Sequence, residues 1–222
     1  MLTPYDWQEG IGHRASFIEA RLEQGTPIIA RSIDAGILVA TFRRRANKIY
    51  EVYDHLVMAS IGQQSDVEAI RVAAIDFAHQ EGFNRSEQDV TVSRVVNALS
   101  TSLKRAFSDF QASPVVARTV FAEAGDTVDA DRYFILDYDG DYTVHQRVVV
   151  VSGSLDLADR LLEGARALPT TESIDEAKAS TLALLQTTIE QFEFEDEFSF
   201  EAVLLDRRSD RENRYVVLSR AD

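Results

Sequence analysis

Thr26 follows Gly25 at the mouth of a predicted strand, and Lys48 opens another strand further along the chain. If the bond after Gly25 were cut, the threonine could attack a carbonyl with its own α-amine as base, and a nearby lysine would lower the local proton affinity. The same two residues also suit an ordinary strand start and an ordinary strand lysine. Asp137, Asp139 and Asp141 in DYDGDY have the alternation of a calcium loop, but the twelfth position counted from Asp137 is Val148 and not a glutamate. A hairpin turn accounts for them. His13, His55, His79 and His145 show no metal-ligand spacing, and neither a glycine-rich phosphate loop nor a GxSxG elbow occurs. Ser152-Gly153-Ser154 reads as a strand-to-helix turn with a cap.

The 222 residues, 45% of them hydrophobic, suffice for one domain with a continuous core. A net charge of −14 opposes phosphate backbones and anionic lipid, so neither nucleic acid nor membrane is an expected partner. No apolar run approaches the roughly 18 residues of a membrane span, and MLTPYDWQEG lacks the apolar region of a secretory signal. The absence of cysteine excludes thiol catalysis and fits a reducing compartment, so a cytoplasmic location is expected. No cofactor or metal is implied. Arg43-Arg44-Arg45 reads as a solvated strand end, and Glu193, Glu195, Asp196 and Glu197 as a solvated loop.

These residues need elements to position them. Trp7, Ile11, Phe17, Ile18 and Leu22 recur at helical spacing over Tyr5–Glu23, with Pro4 opening and Gly25 ending the helix. Two apolar runs, Pro27–Ile33 and Gly36–Phe42, meet at Asp34-Ala35 as a tight hairpin. A second pair, Lys48–Tyr53 and Leu56–Ile61, turns at Asp54-His55. Helices follow over Gln63–Gly82 and Thr91–Phe110, the latter capped by Thr91. The period then returns to strands at Val115–Glu123, Tyr133–Tyr138, Tyr142–Gln146 and Val148–Val151. Ser154 caps the next helix, and Ser173 with Glu176 forms a capping box for Ile174–Phe192. Phe198–Leu205 and Arg214–Ser219 close as strands. Each half of the chain is expected to supply a sheet too apolar to be exposed, which predicts an α+β fold in four layers, αββα, with two antiparallel sheets stacked face to face.

In this order, the elements make the chain resemble subunits of the proteasome core particle, the bacterial α-type more than the β-type. The segments that carry the resemblance are GTPIIARSIDAGILVATFRRR, NKIYEVYDHLVMASIGQQSDVEAIRVAAIDFAHQEG, EQDVTVSRVVNALS, VVARTVFAEAG, YFILDYDG and VVVVSGSLDLADRLLE, from about Gly25 to Phe192. The resemblance implies the Ntn-hydrolase fold as a single domain over 1–222. Residues 1–24 would be gate segment and rim helix, and 25–222 the sandwich.

By the same resemblance, Thr26 stands at the β-type nucleophile, Lys48 at its activating lysine and Ser152 at a supporting serine. Three features oppose activity. Phe42 occupies the place of the acid that orients the lysine, the distal Asp-x-x-Ser followed by glycine is absent from Glu190 to Glu201, and Pro27 restricts Thr26 to extended angles. Thr26 is therefore read as a strand residue and no catalytic residue is assigned. Lys48, Gly62 and Gln63 would instead form a pocket receiving the C-terminal carboxylate of an ATPase activator, and Met1, Leu2, Thr3, Pro4 and Tyr5 the gate. The expected partners are identical subunits in a heptameric ring, β-type proteasome subunits and ATPase tails. The rivals are an autoprocessed threonine peptidase using Thr26 and Lys48, and a stand-alone scaffold ring.

Overall fold

The computed structural model describes residues 4–189, 198–211 and 213–218. Helix α1 (Pro4–Leu22) precedes strands β1 (Ile28–Ile33), β2 (Gly36–Arg43), β3 (Ile49–Tyr53) and β4 (Leu56–Gly62). Helices α2 (Gln64–Asn84) and α3 (Val92–Ser108) follow, then β5 (Ala117–Glu123), β6 (Arg132–Leu136), β7 (Tyr142–His145) and β8 (Val148–Val151). The chain continues through α4 (Leu155–Ala167), α5 (Ile174–Ile189), β9 (Ser199–Asp206) and β10 (Tyr215–Val217). Two five-stranded sheets result, ordered β10-β9-β2-β1-β8 and β3-β4-β5-β6-β7, with every pairing antiparallel.

Burial defines the layers. Ile28, Ala30, Ile37, Val39, Val203 and Leu205 of the first sheet meet Val57, Ala59, Val120, Ala122 and Tyr133 of the second. The alternate residues face outward. Ile29, Leu38, Ala40 and Leu204 lie under Leu157, Leu161 and Leu185 of α4 and α5. On the other side, Met58, Phe121, Phe134 and Leu136 lie under Val67, Ile70, Val96 and Leu99 of α2 and α3. Burial on both faces is why β1 and β2 read as near-continuous apolar runs.

The expected turns and caps are present. Ile33 pairs with Gly36 and Tyr53 with Leu56, which places the turns at Asp34-Ala35 and Asp54-His55. Thr91 accepts from Arg94 N–H, and Ser154 from Leu157 N–H. Ser173 and Glu176 exchange the reciprocal bonds of a capping box. Several strand ends differ from their sequence reading, and at β6 the cause is visible: it stops at Leu136, because the Asp137 N–H turns to Asp141 O and closes a longer loop.

α1 departs from expectation more clearly. Only Ile18 and Leu22 of its five apolar residues enter the inter-sheet core. Trp7 and Phe17 are 43% and 48% exposed, and Trp7 instead meets the Phe110 ring edge-on at 4.7 Å. The last turns enter the inter-sheet core, and the preceding turns meet the end of α3, where Arg14 donates to Ala106 O at 3.1 Å and to Ala112 O at 2.9 Å. Arg118 of β5 locks it there, donating to Glu19 at 2.8 Å, to Asp137 at 2.9 Å and to Ser152 O at 3.0 Å. Tyr138 Oη adds a bond to the same Glu19 oxygen at 3.0 Å. Gly153 is required by this closeness, since a Cβ there would lie 2.2 Å from the backbone of Leu22.

Candidate functional site

Thr26, expected as a strand residue, lies two residues before β1, ahead of Pro27, and Lys48 sits just before β3. The two meet. Lys48 Nζ donates to Thr26 Oγ1 at 2.7 Å, to Thr26 O, and to Thr41 Oγ1 at 3.2 Å. The Thr26 hydroxyl in turn donates to Phe42 O, while Thr41 Oγ1 donates to Pro27 O at 2.8 Å. Thr26 is buried, and its proton is committed to a backbone carbonyl. The Phe42 ring packs against Phe198 and Phe200, so no carboxylate stands at that place beside the lysine. Ser152 lies one residue beyond Val151, which pairs with Ile28. Its hydroxyl accepts from Ser154 N–H and closes the turn into α4.

Lys48 is half-buried with its ammonium turned inward. Desolvation pulls its pKa down from 10.5 to about 7, opposed by the charge of Glu201 and reinforced by Arg44. Glu201 comes from the far end of the sequence. Facing Thr41 across the β2–β9 pairing, its carboxylate accepts Lys48 N–H at 2.9 Å and Ile49 N–H at 3.3 Å. Burial pushes the Glu201 carboxyl above its usual range, against the pull of those two N–H groups and of Arg43 and Lys48.

Lys48 opens onto a cleft of about 150 Å³, lined also by Gly25, Phe42, Arg44, Gly62 and Phe198. A neighbouring cleft of about 270 Å³ is lined by Arg21, Arg44, Gly62, Gln63 and Val116. Lys48, Gly62 and Gln63 are thus gathered around adjoining spaces. At φ 137°, with Val116 O only 2.1 Å from where a Cβ would be, Gly62 admits no side chain. The Gln63 N–H is already donated to Val116 O at 2.8 Å. The donors that helix geometry leaves without an intrahelical partner at this turn therefore belong to the following residues of α2. Arg44, read from sequence as a solvated strand end, rims both clefts, with its guanidinium 5.8 Å from the Phe198 ring centre.

The remaining candidates are dispersed. Asp137 pairs with Arg118, and Asp139 accepts from the Asp141 N–H within the loop. His55 is beside Val90 O, His79 against the Tyr53 ring, and His145 beside Thr143. Among the described residues no group of three or more His, Asp or Glu side chains could hold a metal ion. No helix there is long and apolar enough to cross a membrane. Of the gate residues, Pro4 and Tyr5 begin α1, and Tyr5 is 83% exposed. Met1, Leu2 and Thr3 lie outside the described residues, as do Glu193, Glu195, Asp196 and Glu197.

Glu201 was the residue missed by sequence reading. The available signal was a carboxylate in FSFEAVLLD at the same parity as Val203 and Leu205, which face the inter-sheet core.

A family profile described as proteasome subunit matches residues 22–200. Proteasome subunit alpha of Xylanimonas cellulosilytica is 33% identical over 178 residues, covering 78% of this chain and 72% of the relative. The protein of the same name from Jonesia denitrificans is 30% identical over 203 residues, 89% of this chain and 85% of the relative. A third, from Acidothermus cellulolyticus, is 31% identical over 157 residues, 68% and 67% respectively.

Proposed function

The chain belongs to the proteasome subunit family, with α-type relatives, and we propose that it is the non-catalytic subunit of a bacterial proteasome-like core particle. In this reading it forms a ring with copies of itself, of seven subunits by family resemblance, caps a β-type protease ring and gates the entry of substrate. Lys48, together with the Gly62-Gln63 turn, receives the C-terminal carboxylate of an ATPase activator. The observation that carries this is the Lys48 ammonium at a cleft rimmed by Arg44 and the start of α2. Charge and helix N-terminus both favour an anion there. The exposed Tyr5, Trp7 and Phe17 of α1 support a ring neighbour as their cover.

The test is Lys48→Ala or Lys48→Glu in the co-assembled particle. Stimulation by the ATPase tail is lost while the ring still assembles. Unchanged stimulation removes the docking role.

The threonine-peptidase reading draws on the 2.7 Å Lys48–Thr26 contact. Against it stand the aromatic Phe42 and a hydroxyl proton directed to a backbone carbonyl. Thr26→Ala in the co-assembled particle is expected to leave peptidase activity in place. Loss of that activity, with assembly intact, revives the peptidase.

A further inference from the structure

A lysine that is to receive a carboxylate must be held in place and kept charged. Both are demanding where its ammonium is withdrawn from water. The Nζ donates to neutral oxygens, those of Thr26 and Thr41, and the Phe42 side chain beside them is an uncharged ring. Cations crowd the same end of the molecule, with Arg43 ending β2, Arg44 next to it and Arg21 across the adjoining cleft. From α2 the cleft is lined by Gln64 and Val67, which carry no charge. β10 brings the Tyr215 phenol, whose pKa burial and the Glu201 charge push above its usual range. The negative charge acting on this lysine is Glu201 of β9, 7% exposed and bonded to two successive N–H groups at Lys48 and Ile49.

Resting on the docking reading above, we propose that Glu201 is the positioning residue of the cleft. Its carboxylate fixes the backbone from which Lys48 reaches, and its charge sustains the ammonium that receives the incoming tail. Glu201 does not touch the tail. It acts through Lys48, offsetting both desolvation and the repulsion of Arg44. The carboxylate comes from the opposite end of the chain, on the strand hydrogen-bonded to β2. Binding of a carboxylate at Lys48 then depends on ionisation of a group that the tail never meets.

The test uses the full chain co-assembled with its β-type partner. Competitive acetylation of Lys48 against pH, read by mass spectrometry, gives its titration midpoint whether or not any tail docks. Glu201→Gln keeps an oxygen acceptor for the backbone N–H groups and removes the charge. The midpoint is expected to move about one pH unit lower, and affinity above the midpoint to fall about tenfold. The binding probe is acetyl-Gly-Phe-Ala with a free C-terminus, its amide serving as control. Lys48→Arg in the Glu201→Gln background is expected to restore binding at alkaline pH, because a guanidinium stays charged. A backbone staple alone weakens binding without moving the midpoint, so an unmoved midpoint overturns the inference. A moved midpoint with no binding by the wild type sustains the hold of Glu201 on Lys48 and overturns the docking reading instead. If Glu201→Gln fails to assemble, Glu201→Ser removes the charge while admitting water, and the same midpoint decides.

Discussion

Lys48 concentrates the chemistry of this chain, and its surroundings set a pH dependence. In the free cleft burial brings its pKa down to about 7, whereas a bound carboxylate favours the ammonium. Affinity for a carboxylate tail therefore falls as pH rises through about 7. Lys48→Arg flattens that limb, as a titration of tail binding from pH 6 to 9 would record. The stability linkage has the opposite sense. Between about 7 and 10.5 the unfolded lysine holds a proton that the folded one has lost, so this residue's contribution to stability rises with pH across that window. Thr26, Lys48 and Gly62 were legible in sequence because each sits next to a strand boundary that the pattern marks. Glu201 was not, since 153 residues separate it from Lys48 and only the β2–β9 pairing brings it back.

At the scale of elements, α1 is held by two arginines as well as by Ile18 and Leu22, Arg14 donating to Ala106 O and Ala112 O at the end of α3. Arg118, Glu19, Asp137 and Tyr138 tie its last turns to the second sheet, and those turns lead to Gln24 and Gly25 at the cleft. Replacing Arg118 by alanine leaves two carboxylates facing each other without their shared cation. The expected cost is about 2–3 kcal/mol in denaturant unfolding, with faster hydrogen exchange over Phe17–Leu22. Retained protection there would show that Arg118 is not what holds those turns. Periodicity predicted the helix but overstated its packing, because spacing reveals which residues could share a face and not how far the underlying sheets extend. Element types and the four layers followed from alternation, two-residue turns and capping residues, all local signals. Strand order did not, because β8, β9 and β10 join the sheet of β1 and β2 through long-range pairing and the two halves do not each form their own sheet. The end of β6 did not, because it depends on where Asp137 finds its carbonyl partner.

For the whole molecule, the surface implies assembly. Tyr5, Trp7 and Phe17 on α1, Val144 on β7 and Val217 on β10 are large apolar side chains left to solvent in a single chain. With a net charge of −14, copies repel one another at long range, so apolar contact must supply the cohesion of a ring. The most direct measurement is the intact mass of this chain after co-assembly with its β-type partner. Retention of residues 1–25, apart from removal of Met1, is the predicted result. It keeps Thr26 within the chain and leaves Lys48 available for the proposed docking. A mass lacking residues 1–25 would expose the Thr26 amine beside Lys48 and contradict a non-catalytic subunit.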